Sequence, residues 1–532
     1  MEVKTFSFRL EANFGFLKKL SGWFKSLREN LLMDNDLLFT LTYMASLSTA
    51  NLSRDKIFEM IAEKDYGPSK YFRMIRDLAQ KWHYDYATAC SLVAEKVKHE
   101  RLRRLLDRMA NAIAAGEPDD EFLEREWRTF KTVRKDEYER SLESLRKWTD
   151  AYVSLLVSAS LISIVLLLAV VIYSPRDAAA TLYSAILSNA AVCGFGILML
   201  SRAVPKDRKT HDAAIKSREQ RMLTKMLPLS LAAALVAFWF LTLLPTLLGV
   251  DEARWMRGWG FLAVALSLTP ATALAKLDDS RVSARDEAFT VFIRSLGSIK
   301  SGAGVSLAEA MSRIDEKNLG ALKDLVKQLH RRLSLGLDPK LCWERFAGES
   351  GSYLIHKFTN IFVDATDMGG DAAVVGEIVA SSNLEMVLLR LKRALISSGF
   401  INLLIPLHLS MVGLILFITQ IMDVFARYIS ELFATQLGGV SMGEVMSKLP
   451  GGLQQLNIGI FSVIPFELMN RFTVFTILSL TIANTIAANI VRGSGGYMLA
   501  YYAAIFFMCS GLLMLVIPPL VDWMFTFPSF VE

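Results

Sequence analysis

The residues of this 532-residue chain best suited to acid–base or metal chemistry are six histidines: His83, His99, His211, His330, His356 and His408. None stands in an HExxH or other ligand spacing, so no metal site is expected. No GxxxxGK[ST] loop is present to cradle a nucleotide's phosphates. The nearest glycine cluster, Gly493-Ser-Gly-Gly496, lacks the lysine and reads as a short turn between apolar segments. No GxSxG elbow offers a nucleophilic serine. Cys90, Cys193, Cys342 and Cys509 are scattered without a CxxC pair and read as reduced thiols. The chain is therefore expected to have no catalytic residue, no cofactor and no metal. His408 lies in an apolar run beside Pro406. An ionisable group inside a membrane is a functional candidate by default. The plainer alternative is a neutral imidazole bonded to a neighbouring helix.

Charge offers binding rather than catalysis. Arg101, Arg103, Arg104 and Arg108 alternate with acids along one helix, as do Arg331, Arg332, Lys340 and Arg345 further on. Such runs are solvated or headgroup-facing surfaces, or a docking face for a partner. The formal net charge is only +6. Each large polar block is near charge balance, which argues against nucleic-acid binding.

These residues must be positioned by helices, most of them in or at a membrane. Hydrophobic residues make up 52% of the chain and charged ones 21%, with a mean hydropathy of +0.34. The apolar residues are gathered into seven segments without Lys, Arg, Asp or Glu: 151–173, 178–201, 226–250, 258–275, 394–422, 472–491 and 497–521. A spanning helix needs about 20 such residues. Their presence excludes a single soluble globule, a disordered chain and a small disulfide scaffold. The first thirty residues carry no continuous apolar core or small-residue cleavage site, so no cleavable signal is expected. Instead Leu17, Leu20, Phe24 and Leu27 form a stripe among lysines. That stripe fits a helix lying on the membrane surface or one packed on the first polar block.

The loop 202–225 holds eight Lys and Arg against three acids, whereas 174–177 and 251–257 are balanced. Basic short loops stay in the cytoplasm. The N-terminal block and 278–393 are then cytoplasmic, and seven crossings put the C-terminus outside. Within 423–470, read as an external loop, Phe425, Ile429, Leu432 and Phe433 give a short amphipathic helix. The charge-free stretch 449–466 is rich in Pro, Gly, Asn and Gln, and reads as surface-lying or re-entrant.

The two polar blocks resemble each other. Residues 44–53 and 296–306 both read as an apolar helix end, a small-residue turn and a serine N-cap. Ser306 with Glu309 has capping-box spacing. Gly336 reads as a C′ glycine, and Asp338-Pro339 as a helix start. Ala115-Gly116 and Gly369-Gly370-Asp371 form a third pair, either C-caps or, at Gly369 and Gly370, a permissive joint between helices. The resulting expectation is an all-α polytopic membrane protein with about seven transmembrane helices and two homologous cytoplasmic helical-bundle domains. Its parts are an amphipathic segment (1–30), a first bundle (31–150), four spans (151–277), a second bundle (278–393) and three spans (394–532).

A helical domain used twice, each time entering the membrane, resembles the F-type platform proteins of type II secretion and type IV pilus machines. Gly304-Val-Ser-Leu-Ala-Glu-Ala310, Leu337-Asp-Pro-Lys-Leu-Cys-Trp-Glu-Arg-Phe346, Glu349-Ser-Gly-Ser352 and Met368-Gly-Gly-Asp371 are similar to the archaeal flagellar (archaellum) platform type. The first block is more diverged and lacks the double glycine. The resemblance implies a non-enzymatic platform in the cell membrane. It would anchor the filament base and couple a cytoplasmic hexameric secretion ATPase to insertion and motion of archaellin or pilin subunits, as a homodimer in contact with membrane lipids. It places ATPase contacts at Arg331, Arg332, Lys340, Arg345, Arg390, Lys392 and Arg393, although Arg390, Lys392 and Arg393 also suit a headgroup anchor. An adhesive-pilus platform and, in another class, a secondary transporter are the alternatives.

Overall fold

The computed structural model describes residues 33–173, 178–248, 254–436 and 466–525. The N-terminal stripe and the stretch 449–465 lie outside them. Every regular element in the described residues is helical, apart from one isolated bridge between Thr210 and Ser352.

The helices fall into a repeated series. It runs α1 (33–48), α2 (Arg54–Glu63), α3 (Ser69–Trp82), α4 (Tyr86–Lys96), α5 (Glu100–Ala114) and α6 (Asp119–Tyr173). Next come α7 (Ala178–Ala203), α8 (Arg218–Phe238), a π-helical turn (Trp239–Leu243) and α9 (Leu244–Leu248). The series restarts with α10 (Arg254–Ala303), α11 (Leu307–Ser312), a 3-10 turn (Glu316–Leu322), α12 (Lys323–Ser334), α13 (Pro339–Glu349), α14 (Tyr353–Asp367) and α15 (Ala372–Gln436). It ends with α16 (Phe466–Arg492) and α17 (Met498–Met524). The amphipathic helix expected near Phe425 is not separate, because α15 runs through it to Gln436.

The same chemistry stops and starts the helices in both halves. Ser53 Oγ accepts from Lys56 N, and Ser306 Oγ accepts from Glu309 N at 3.2 Å. Asp85 and Asp338 cap α4 and α13. Each cap satisfies a backbone donor that the first helical turn leaves without a partner. At the other ends, Gly116 (φ 72°) and Gly369 (φ 93°) follow α5 and α14. Glu117 N bonds Ala112 O, and Gly370 N bonds Ala365 O. This is the six-to-one bond of a Schellman cap, which needs a left-handed residue at C′. All four pairs stand 253 residues apart, so this stretch of the repeat carries no insertion.

The chain divides into two compact units. The first comprises Met1–Arg140, Pro205–Ser217 and Ser280–Leu391. The two homologous segments contribute to one core here: Phe39 of α1 packs edge-on against Phe358 of α14 at 5.2 Å and Tyr353 at 5.7 Å. Trp127 Nε1 of α6 donates to Ser382 Oγ of α15 at 2.9 Å, and both residues are buried. The two repeats therefore share a core. The basic loop is also part of this unit, since Pro205–Ser217 is built into it.

The second unit comprises Ser141–Val204, Arg218–Asp279 and Lys392–Glu532. Among the described residues, seven helices are long and apolar enough to cross a membrane. Their outward faces carry Leu187, Leu229 and Leu395, each more than 70% exposed, as lipid contact requires. Polar residues point inward and bond between helices: Asn189 Nδ2 donates to Ser479 Oγ at 2.8 Å, and Thr419 pairs with Thr473 at 2.9 Å.

Candidate partner interface

Helices α12 and α13 form a hairpin whose turn is set by Gly336 (φ 71°) and the Asp338 cap on Lys340 N. Arg331, Lys340 and Arg345 are exposed on it, and no carboxylate among the described residues pairs with any of them. Arg332 behaves differently: its two terminal nitrogens bind Glu349 at 2.8 and 3.0 Å, tying the hairpin's arms together. Three of the four expected cations of the hairpin are thus free to meet a partner.

Arg390 and Arg393, expected to face a partner, point inward. Arg390 Nε donates to Asp207 at 2.6 Å and Nη1 to Asp286 at 2.8 Å. The Asp207 and Asp286 side chains are 8% and 3% exposed. Ser352 Oγ also donates to Asp286. Burial pushes the Asp286 carboxyl up to about 6, against the pull of Arg390. Burial alone would lower Arg390, but Asp207 and Asp286 outweigh it and hold the guanidinium above its ordinary value.

The strap 205–217 is fastened by its backbone as well. Lys206 O accepts from Asn35 Nδ2 at 2.9 Å, Lys209 O from Tyr353 N at 3.0 Å, and His211 Nε2 bonds Gly348 O at 2.9 Å. A Cβ on Gly348 would meet Ile215 at under 3 Å, so the strap lies directly on α13. The His211 and His356 rings lie 5.2 Å apart, tilted by 31°. Burial pulls both below the usual histidine range, His356 to about 4, with His211 and Lys357 adding to the shift there.

Arg393, in the second unit, donates to Val491 O and Ile490 O at 3.1 and 2.8 Å and so closes the end of α16. Its guanidinium lies against Gly493, where a Cβ would stand 2.1 Å from it, and Gly493-Ser-Gly-Gly496 is the expected turn. Lys392 is exposed. Gly369 and Gly370 form the Schellman cap described above. Gly370 is buried, and a Cβ there would stand 2.8 Å from both Ala365 O and Thr49 Oγ1. In this structure the pair therefore takes the C-cap form, one of its two expected roles.

His408 is buried in a hydrogen-bonded chain across four helices. Its Nε2 bonds Ser510 Oγ at 2.9 Å and its Nδ1 meets Asn484 Nδ2 at 3.0 Å. Asn484 Oδ1 accepts from Tyr152 OH at 3.1 Å. Such an arrangement welds helices together where no water can replace a lost partner. Among the described residues no three His, Cys, Asp or Glu side chains gather as a metal site.

Sequence reading missed Asp207, Asp286 and Ser352. A signal for one was present: Asp286 shares a helical stripe with Phe289 and Ile293, both fully buried. A carboxylate in that register needs a buried cation.

The duplication of a helical segment that continues into an apolar span recurs in known proteins. Type II secretion system (T2SS), protein F, matches residues 40–167 and again 292–422. The chain thus carries two segments that match this family. Its matched segments coincide with the two structural repeats, each including the helix that continues toward the apolar part. Flagella accessory protein J of Methanocaldococcus jannaschii is 25% identical over 480 residues, covering 88% of this chain and 82% of its own. Flagella accessory protein J of Methanococcus voltae is 27% identical over 363 residues, covering 66% and 63%. No solved structure matches. The chain is thus a multi-pass membrane protein of the platform type found in archaella or type IV pilus machines.

Proposed function

We propose that this chain is the membrane platform of an archaellum. It anchors the filament base and couples a cytoplasmic hexameric secretion ATPase to insertion and motion of archaellin subunits, performing no catalysis itself. The observation that carries this reading is the run of α6, α10 and α15, of 55, 50 and 65 residues. In chain order α6 and α15 leave a bundle segment and continue as an apolar span, and α10 does the reverse, with Pro270 and Pro406 inside α10 and α15. Such continuity gives a direct covalent route for displacement between bundle and membrane, which a platform needs and a site of chemistry does not. The names of the two relatives favour the archaellum over an adhesive pilus.

In this reading the bundle is cytoplasmic, the N-terminus lies with it, and the C-terminus is external. The excess of Lys and Arg in 202–225 supports that orientation. The ATPase meets the α12–α13 hairpin through Arg331, Lys340 and Arg345, with Arg332 fixing the hairpin's shape; Lys392 is a further candidate contact. The secondary-transporter alternative finds little support in His408, whose ring nitrogens are both engaged by neighbouring helices.

The test is co-purification of the full chain in detergent with the secretion ATPase of the same machine. Reversal of Arg331, Lys340 and Arg345 together to glutamate should weaken the complex at least tenfold at physiological salt. Unchanged binding would remove the hairpin from the interface.

A further inference from the structure

The eight basic residues of 202–225 divide between different settings. Lys206, Arg208 and Lys209 belong to the strap, which is built into the first unit. Arg218, Arg221 and Lys225 open α8, which belongs to the second unit. All three are exposed, and none has an ion-pair partner among the described residues. Their spacing of three and then four residues puts them on one face of the helix. Glu219, the acid of these first two turns, points into the protein and is 7% exposed. Like charges three and four residues apart repel, and no carboxylate on this face of α8 offsets them.

The same face continues as exposed hydrocarbon. The spacing of three and four runs on through Leu229, Ala232 and Val236, and all three are exposed, Leu229 by 74% and Val236 by 57%. Leu223, Ser230 and Ala234 fill the opposite, buried face. From Lys225 to Val236 the stripe is about 17 Å long at 1.5 Å per residue. That is close to one leaflet's half of a hydrocarbon core about 30 Å thick. Other cations of the second unit are engaged by the protein itself. Lys276 Nζ lies 5.2 Å from the centre of the Tyr501 ring, Arg393 donates to Val491 O, and Arg492 donates to Ala394 O.

We propose that this face of α8 is a binding site for an anionic membrane lipid. Arg218, Arg221 and Lys225 take the headgroup phosphate, and a hydrocarbon chain lies along Leu229, Ala232 and Val236. A soluble anion or an acidic peptide would match the cations but not the apolar stripe that follows them. A zwitterionic lipid would cover the stripe but leave the charges without a net counter-ion. An anionic lipid carries both parts in the order in which the helix presents them. Basic residues at the end of a span attract anionic headgroups in this way. The inference rests on the apolar helices crossing a membrane and is independent of the kind of filament the machine builds.

The experiment is native mass spectrometry of the full chain in detergent with equal amounts of phosphatidylglycerol and phosphatidylcholine, together with its melting temperature with and without each lipid. The unaltered chain should retain phosphatidylglycerol in preference and gain more thermal stability from it. Each of Arg218→Gln, Arg221→Gln and Lys225→Gln should weaken that retention about fivefold, and the triple variant should retain the two lipids equally. Arg218→Lys with Arg221→Lys keeps the charge and should keep the preference. Without added lipid these exposed substitutions should leave the melting temperature unchanged. Should the triple variant fail to insert, Arg221→Gln alone decides the matter, since it leaves seven of the eight basic residues of 202–225 to direct insertion. Undiminished preference for phosphatidylglycerol in the variants overturns the site. Displacement of the lipid by millimolar inorganic phosphate, or an equal gain in stability from phosphate alone, makes it a site for a free anion and overturns the lipid. A change in oligomeric state in place of a change in lipid retention makes this face a contact between copies of the chain and overturns the lipid as well.

Discussion

Replacing Arg390 by methionine tests the ionic core directly. The guanidinium lies between Asp207 and Asp286, whose side chains are almost fully enclosed. Methionine keeps most of the volume and removes the charge, leaving two buried carboxylates without their cation. Breaking a buried pair in this way costs about 3–5 kcal/mol. For a body of this size that lowers Tm on the order of 10 °C. The penalty should depend on pH. Asp286 has a native pKa near 6, above its ordinary 3.8, because burial disfavours its charged form. Loss of Arg390 removes the largest influence holding it down, so it rises further. A carboxyl whose native pKa exceeds its unfolded one takes up its proton first in the native state, so acidification favours folding. The gap between wild type and Arg390→Met should therefore shrink as pH falls from about 8 to about 5. Adding Asp286→Asn should recover part of the loss at neutral pH. The measurement is thermal unfolding of the detergent-solubilised chain across that range, read as the difference between variants so that other titrating groups cancel. A loss below about 1 kcal/mol, or a gap independent of pH, would refute the account of Arg390 as the counter-ion of two buried carboxylates.

Two further substitutions probe local geometry. Gly369→Ala forces a Cβ into a left-handed conformation and should cost about 1–2 kcal/mol, whereas Gly369→Asn should cost clearly less; equal melting temperatures for both variants and wild type would dispose of the cap. His356 is held near 4 by burial, with His211 and Lys357 adding to the effect. The unfolded chain takes up this proton at about 6.5 while the native chain does not, so this residue's contribution to stability is lost as pH falls from about 6.5 to 4. His356→Gln should flatten that part of the stability–pH curve, and an unchanged slope would show that the imidazole is not shielded.

The spans and caps were legible in the sequence because each depends on local chemistry. Seven charge-free segments became seven helices long and apolar enough to cross a membrane. Ser306, Gly336 and Asp338 took the capping roles that their spacing announced. The destinations of Arg390 and Arg393 were not legible. Arg390's partners lie 183 and 104 residues away, and only the fold brings them together. Arg393 binds two carbonyls, a contact that leaves no trace in side-chain identity. The same holds for the strap. Its lysines and arginines attract attention as charge, yet Lys206, Arg208 and Lys209 all fasten the chain through backbone oxygens. Gly369 and Gly370 illustrate a different limit: a glycine pair fits a joint and a cap equally well until the Gly370 N to Ala365 O bond is seen.

The shared core makes a demand that two independent bundles would not. The first repeat buries Phe39 against Phe358 and Tyr353, and hydrogen-bonds Thr42 and Trp127 to Ser382. All these partners belong to the second repeat. A fragment of residues 33–140 would expose Phe39 and Trp127 to water, at roughly 2–3 kcal/mol for each large side chain, and would leave the Trp127 N–H without its acceptor. A helical fragment of that length has only about 5–15 kcal/mol of net stability to lose. Expressed alone, it should therefore be loosely packed or aggregated, binding hydrophobic dyes and showing poor dispersion of its amide NMR signals. Co-expression with a fragment of residues 280–391 should restore a soluble one-to-one complex, because that piece supplies Tyr353, Phe358 and Ser382 together. A monomeric, well-dispersed 33–140 fragment would show instead that each repeat carries a sufficient core of its own, and the one-body account of the bundle would have to be abandoned.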